Sequence, residues 1–295
     1  MALFTKSHRT AQSLPPSGDC VVSELLNHVD RGAGAPSLVF VHGLACALED
    51  WNAQVDALSA TYRCIAVDLP GHGASPASGP LGIANFGAAL AAAVDSLQAV
   101  PAVLIGHSMG CRVVLDAARR LAERGSTVAG VVLIDGSLRG TGDPQAARDE
   151  TRAMIEHAGF AAYIERLFRV MFVNDDDLPL QERIVQRALR LDAQAGTELI
   201  ADLSAWDASE MAGVLAVQSA PLLVIQSSGV SADRRRIPLK PGDSTPFVDC
   251  VTGALANVEV VIIPDIGHFT MHEAPRRVSE LIAQFCAKLD VAADA

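Results

Sequence analysis

The feature that most limits the folds open to this chain is a repeated alternation of short apolar runs with longer helical stretches. Runs rich in Val, Ile and Leu occur at 38-LVFVH-42, 64-CIAVDL-69, 102-AVLIG-106, 130-GVVLID-135, 221-PLLVIQ-226 and 258-VEVVII-263. Most are separated by Ala- and Leu-rich segments with helical spacing. Strands that are apolar on both faces and alternate with helices predict an α/β fold, a mostly parallel central sheet flanked by helices. The stretch 21-VVSELLNHVDRG-32 suits a leading strand or hairpin. The alternation stops between Gly136 and Ala220, where 159-GFAAYIERLFRVMFV-173 and 180-LQERIVQRALRL-191 are helix-like and no strand pattern occurs. The expected organisation is an N-terminal segment over 1–20, a core built from 21–135 and 221–295, and a helical insertion over 136–220.

Composition narrows the partners. Half of the 295 residues are apolar, enough for one large core. The net charge of −11 argues against a polyanionic partner such as nucleic acid. The first 20 residues are polar and contain no signal-peptide core, and no apolar run approaches membrane-spanning length. The six cysteines are scattered without a CxxC pair, which suggests neither a zinc site nor a disulfide framework. The expectation is a cytoplasmic protein that acts on a small molecule, with no metal, no cofactor and no membrane contact.

The chemistry is carried by 103-VLIGHSMGCRVVLDAARRL-121, where a buried strand runs into a helix through Gly106-His107-Ser108-Met109-Gly110. A sharp strand-to-helix turn strains its central residue and exposes the side chain, and the residues two before and two after must be small because they approach one another. Ser108 is therefore the candidate nucleophile. A serine hydroxyl needs a base, and 261-VIIPDIGHFTMHEAP-275 supplies His268 in a Gly-containing loop after the last strand, with His272 further along as its competitor. His42, His72 and His107 read as structural. An oxyanion requires backbone donors. Met109, which opens the helix, and Leu44, in the loop after 38-LVFVHGLAC-46, are the candidates.

Four stretches in order, 41-VHGLA-45, 67-VDLPGHGAS-75, 104-LIGHSMG-110 and 266-IGHF-269, make the chain resemble the α/β-hydrolase fold superfamily, of the serine-nucleophile ester-hydrolase type with a helical cap inserted after strand 6. The resemblance spans about residues 21–289. It implies Ser108 as nucleophile, His268 as base and Leu44 and Met109 as oxyanion donors. Serine at the elbow sets the chain apart from haloalkane dehalogenases and epoxide hydrolases of this fold, which use aspartate there. Family members usually place the third residue, an acid, shortly after the strand that here reads 221-PLLVIQ-226. In 227-SSGVSADRRRIP-238 that acid is Asp233, later than usual and beside three arginines. Asp135, closing 131-VVLID-135, is the alternative, ranked second.

The insertion is expected to line a pocket through Phe168, Met171, Phe172 and Trp206, suited to a small, largely apolar ester or lactone. The basic run Arg234–Arg236 with Lys240 reads as a solvated loop or as a carboxylate binder. Other readings are a cofactor-free dioxygenase of heteroaromatic substrates that uses the His–Asp dyad, a carbon–carbon bond hydrolase of ring-cleavage products, and a non-catalytic binding module.

Overall fold

The computed structural model describes residues 26–174, 178–231 and 235–293, with side chains to residue 289. Nine strands are described: β1 (His28–Arg31), β2 (Ser37–Val41), β3 (Cys64–Val67), β4 (Ala102–His107), β5 (Val128–Ile134), β6 (Leu222–Gln226), β7 (Ser228–Val230), β8 (Arg236–Pro238) and β9 (Val258–Ile262). Seven form one sheet in the order β1-β3-β2-β4-β5-β6-β9. All neighbours run parallel except β1, which is antiparallel to β3. The register sets Val39 opposite both Ile65 and Leu104. Every residue of β2, β3, β4 and β6 is buried, as strands covered on both faces must be.

Helices α1 (Asn52–Leu58), α2 (Ile83–Ser96) and α3 (Met109–Glu123) cross over between β2 and β3, β3 and β4, and β4 and β5. Right-handed crossovers put helices on opposite faces when the strand order runs in opposite directions. From β2 the chain steps to β3 on one side, and every later step goes the other way. Accordingly α2 packs on α3, while α1 packs on the long final helix α11 (Pro275–Ala293). The order reverses between β2 and β4, and the loops leaving their carboxyl ends form the crevice where such sheets bind ligands.

Among the described residues between β5 and β6 lie five helices and no strand: α4 (Pro144–Ala158), α5 (Phe160–Arg169), α6 (Leu178–Ala188), α7 (Ala193–Ser209) and α8 (Met211–Ala216). Among the described strands this insertion follows the fifth rather than a sixth, because a single strand, β1, precedes β2. Several polar contacts tie it to the core. Arg112 of α3 forms a fully buried bidentate pair with Asp207 of α7, at 2.7 and 2.6 Å. Arg187 of α6 donates to Asp50 at 2.6 Å. Just past α5, Val170 and Met171 accept hydrogen bonds through their carbonyls from the amides of Arg236 (3.3 Å) and His268 (2.9 Å).

The segment after β6, read in the sequence as a loop, instead opens with the hairpin β7–β8. Helices α9 (Pro246–Ala254) and α10 (Thr270–Glu273) flank β9. Among the described residues no helix is long and apolar enough to cross a membrane.

Candidate active site

Five strand ends converge on one spot. Gly43 and Leu44 follow β2, Ser108 follows β4, Asp135 follows β5, Ser227 follows β6, and His268 lies in the loop after β9. The turn at Ser108 has φ 54° and ψ −112°, and α3 starts at the next residue. Both glycines are required by contact. A Cβ on Gly106 would stand 2.3 Å from the Gly110 carbonyl oxygen, and one on Gly110 would stand 2.5 Å from that of Val41. The turn is as tight as its sequence implies, and it holds Ser108 Oγ out at the head of α3.

Ser108 Oγ donates to His268 Nε2 at 2.9 Å, and His268 Nδ1 donates to Asp135 Oδ2 at 2.5 Å. Asp135 sits in left-handed backbone, φ 44°, which turns its carboxylate across the end of β6. There the amides of Ser227 and Ser228 each donate to Oδ1 at 2.8 Å, and Ser228 Oγ donates to Oδ2 at 2.7 Å. Arg236 Nη1 lies 3.4 Å from Oδ2. Burial alone would raise this carboxyl, but the imidazole, Arg236 and the Ser228 hydroxyl together hold it below the usual carboxylate range. It is thus an acceptor only, which places the imidazole proton on Nδ1 and leaves Nε2 free to accept. Burial, and next the Arg236 charge, push His268 down to about 4 against the pull of Asp135. The imidazole is therefore neutral throughout the physiological range.

Around His268 the amides of Gly267, His268 and Phe269 are all bonded. Glu273 accepts from Gly267 and Phe269 at 2.7 and 3.1 Å, and His107 Nε2 donates to the His268 carbonyl at 2.8 Å. His272 is instead 3.1 Å from Asp50, the residue that Arg187 also holds. His42 donates from Nδ1 to the Gly43 carbonyl and accepts the Leu69 amide on Nε2. Burial pushes His72 and His107 down to about 3. Burial likewise raises the Cys111 thiol to about 12, so it stays protonated between the carbonyls of Gly106 and Ile134.

The Asp135 carboxylate fills the Nδ1 side of the imidazole. Asp233, the acid ranked first from sequence, lies outside the described residues. Leu44 and Met109 line the same cavity as Ser108. The Met109 amide is among the first four of α3, which no helix satisfies internally, at the positive end of its dipole. A Cβ on Gly43 would stand 3.3 Å from Ser108 Cβ, so the Leu44 loop passes directly against the serine.

The cavity has a volume of about 530 Å³. Of the four residues expected to line it, Met171 does; Phe168, Phe172 and Trp206 do not. The reason is helical phase. Tyr163, Arg166 and Leu167 on α5, with Val170 just past it, face the cavity, which leaves Phe168 packed in the core. Phe172 stacks on Phe269 at 5.0 Å, and Trp206 is buried in α7. The wall is less apolar than the sequence suggests, because Arg112, Arg139, Arg166, Arg235 and Arg236 all reach it. Arg235 and Arg236 belong to the basic run visible in the sequence, whereas Arg112, Arg139 and Arg166 come from α3, the loop after β5 and α5, where no local pattern marks them. Ser227 and Ser228 were also missed, since serines at a strand end carry no signal of their own.

The sequence matches the model of the Alpha/beta hydrolase family over residues 38–281. The chain belongs to that family. It is 26% identical over 266 residues to a pimeloyl-(acyl-carrier protein) methyl ester esterase of Methylococcus capsulatus, covering 88% of this chain and 98% of that protein. It is 32% identical over 101 residues to the dihydrolipoyllysine-residue acetyltransferase component of the acetoin cleaving system of Cupriavidus necator, covering 32% of this chain and 27% of that protein. Indeed, the chain spans less than a third of the length of the first curated relatives it matches. Among solved structures, an esterase from Thermogutta terrifontis shares the fold with a TM-score of 0.72 at 24% identity, over 90% of this chain and 93% of that one. The relatives named here include esterases, and this chain has the same fold.

Proposed function

We propose that this enzyme is a serine hydrolase that cleaves a small carboxylic ester or lactone through an acyl-enzyme on Ser108. One observation carries the reading: the hydrogen-bonded series Ser108 Oγ, His268 Nε2, His268 Nδ1, Asp135, in which the imidazole is neutral and aimed at the serine. Ser108 Oγ attacks the substrate carbonyl carbon while its proton passes to His268 Nε2. The charge that develops on the carbonyl oxygen is met by the amides of Leu44 and Met109, each worth about 2.7–4 kcal/mol in such sites. His268 then gives its proton to the departing alkoxide, which in a lactone stays attached to the acyl group. A water molecule enters, loses a proton to His268 and attacks the acyl carbon, which frees the acid and Ser108. Asp135 orients the ring and stabilises the imidazolium at both steps. The methyl ester esterase named among the relatives supports ester chemistry, and a cavity of about 530 Å³ suits a small-molecule substrate. The helices between β5 and β6 act as the cap over that cavity.

A fluorescent fluorophosphonate tests the reading, because it phosphonylates only an activated serine. The expected result is one modified peptide, the one containing Ser108, with labelling abolished in His268→Ala. Absence of label on folded wild-type protein would overturn it.

The depressed base has a consequence for pH. His268 must be unprotonated to act, so kcat/KM on a neutral ester is expected to rise through about pH 4 and stay level to pH 8. The Arg236 charge lowers this base, so Arg236→Gln is expected to move the limb upward. A pH series with the fold followed by circular dichroism checks both. A wild-type limb between pH 6 and 7 would count against the assignment.

A further inference from the structure

In a chain of net charge −11, the described lining of the catalytic cavity contains five arginines and not one Asp or Glu. Among the described residues only Arg112 is fully matched, by the buried carboxylate of Asp207. Arg236 has a side chain only 8% exposed, and its one carboxylate contact among the described residues is a single nitrogen 3.4 Å from Asp135. That carboxylate is already engaged by His268, two amides and the Ser228 hydroxyl. Arg139 bonds a neutral partner, the Tyr163 hydroxyl, at 3.0 Å. Arg166 has no carboxylate partner among the described residues. Gathering like charges in a partly apolar pocket is costly, because the low local dielectric that strengthens attraction strengthens repulsion equally. Burial, with Arg139 and Arg112 nearby, already opposes the charged form of Arg236. An anion in the cavity would relieve all of these at once.

We infer that the substrate carries a free carboxylate, held by Arg139, Arg166 and Arg236 with help from the Tyr163 hydroxyl, beside the ester that Ser108 attacks. The inference rests on the serine-hydrolase reading and narrows its substrate to half-esters of dicarboxylic acids or lactones bearing a carboxyl group. The planar fork of a guanidinium matches the two coplanar oxygens of a carboxylate, and several forks around one anion give orientation as well as affinity. The Arg236 contact with Asp135 puts the anion site next to the catalytic hydrogen-bond series, so the carboxylate and the scissile carbonyl must be close in the substrate. Leu138, Met154, Leu167 and Leu203 supply an apolar wall for the hydrocarbon between or beyond them.

The test compares monomethyl esters of the four- to eight-carbon straight-chain dicarboxylic acids with methyl esters of the matching monocarboxylic acids, at pH 7. Charge-assisted hydrogen bonds predict that kcat/KM for the best half-ester exceeds its neutral counterpart about 10- to 100-fold, mostly through KM. In Arg139→Ala/Arg166→Ala that ratio should fall towards one, and Arg166→Lys should restore part of what Arg166→Ala loses. Lys240→Ala, on the hairpin side but outside the cavity, should leave the ratio alone. Fluorophosphonate labelling at Ser108 is followed in parallel, because the probe is uncharged. Intact labelling with no preference for half-esters, or a preference indifferent to the arginines, would overturn the anion site and leave the serine reading standing. Should labelling fail, binding of the free dicarboxylates to wild-type and double-variant protein, read by calorimetry, decides the anion site alone: tighter binding to the wild type supports it, and equal or absent binding overturns it. An equal preference for phosphate-bearing esters would overturn the assignment to carboxylates.

Discussion

Asp135→Asn is expected to lower kcat on a cleaved ester by about 10⁴-fold while the protein stays folded. The size of the effect comes from the tautomer. Two amides donate to Asp135 Oδ1, so the oxygen of an asparagine would take that position and its NH₂ would face His268 Nδ1. Two donors cannot bond each other. The imidazole would then carry its proton on Nε2 and donate to Ser108 instead of accepting from it. The measurement is single-substrate kinetics together with the rate of fluorophosphonate labelling, which should fall in parallel. Asp233→Asn, made alongside, should change neither by much. A reversal of the two results would assign the acid to Asp233 and leave Asp135 a structural role at the end of β5.

The second large effect is on stability. Asp207→Ala should destabilise the protein by about 3–5 kcal/mol, because it strands the buried Arg112 guanidinium without its counter-ion. It also removes the acceptor of the Arg139 amide, 2.7 Å away. In thermal unfolding this corresponds to a fall on the order of 10 °C. Replacing both members, Arg112→Met with Asp207→Leu, should cost much less than Asp207→Ala, since no buried charge remains unpaired. A double variant no better than the single one would show that the pair is not what holds α7 against α3.

What the sequence made legible follows from how local each feature is. Strands β2 to β6 are legible because each is apolar on both faces over its own few residues. The turn at Ser108 is legible because its two glycines are forced by contacts inside the turn. His268 follows from its position after the last strand. The acid was harder, because its identity depends on which strand end meets the imidazole in three dimensions. After β6 the chain enters the β7–β8 hairpin and presents Ser227 and Ser228, whose amides turn towards Asp135. The cavity wall was hardest. Helical spacing marks an apolar face on α5 but does not say which residues of that face meet the sheet and which meet the cavity. Arg235 and Arg236 are visible as part of a basic run, but Arg112, Arg139 and Arg166 join them only when four elements are folded together.

One last consequence concerns the turn that follows α5. The carbonyls of Val170 and Met171 grip the amides of Arg236 and His268, so the residue that bears the base hangs partly from the insertion itself. If α5 swings outward to admit or release a molecule, the general base loses an anchor in the same movement. Displacement of α5 would therefore be felt at the imidazole beside Ser108 as well as at the cavity wall.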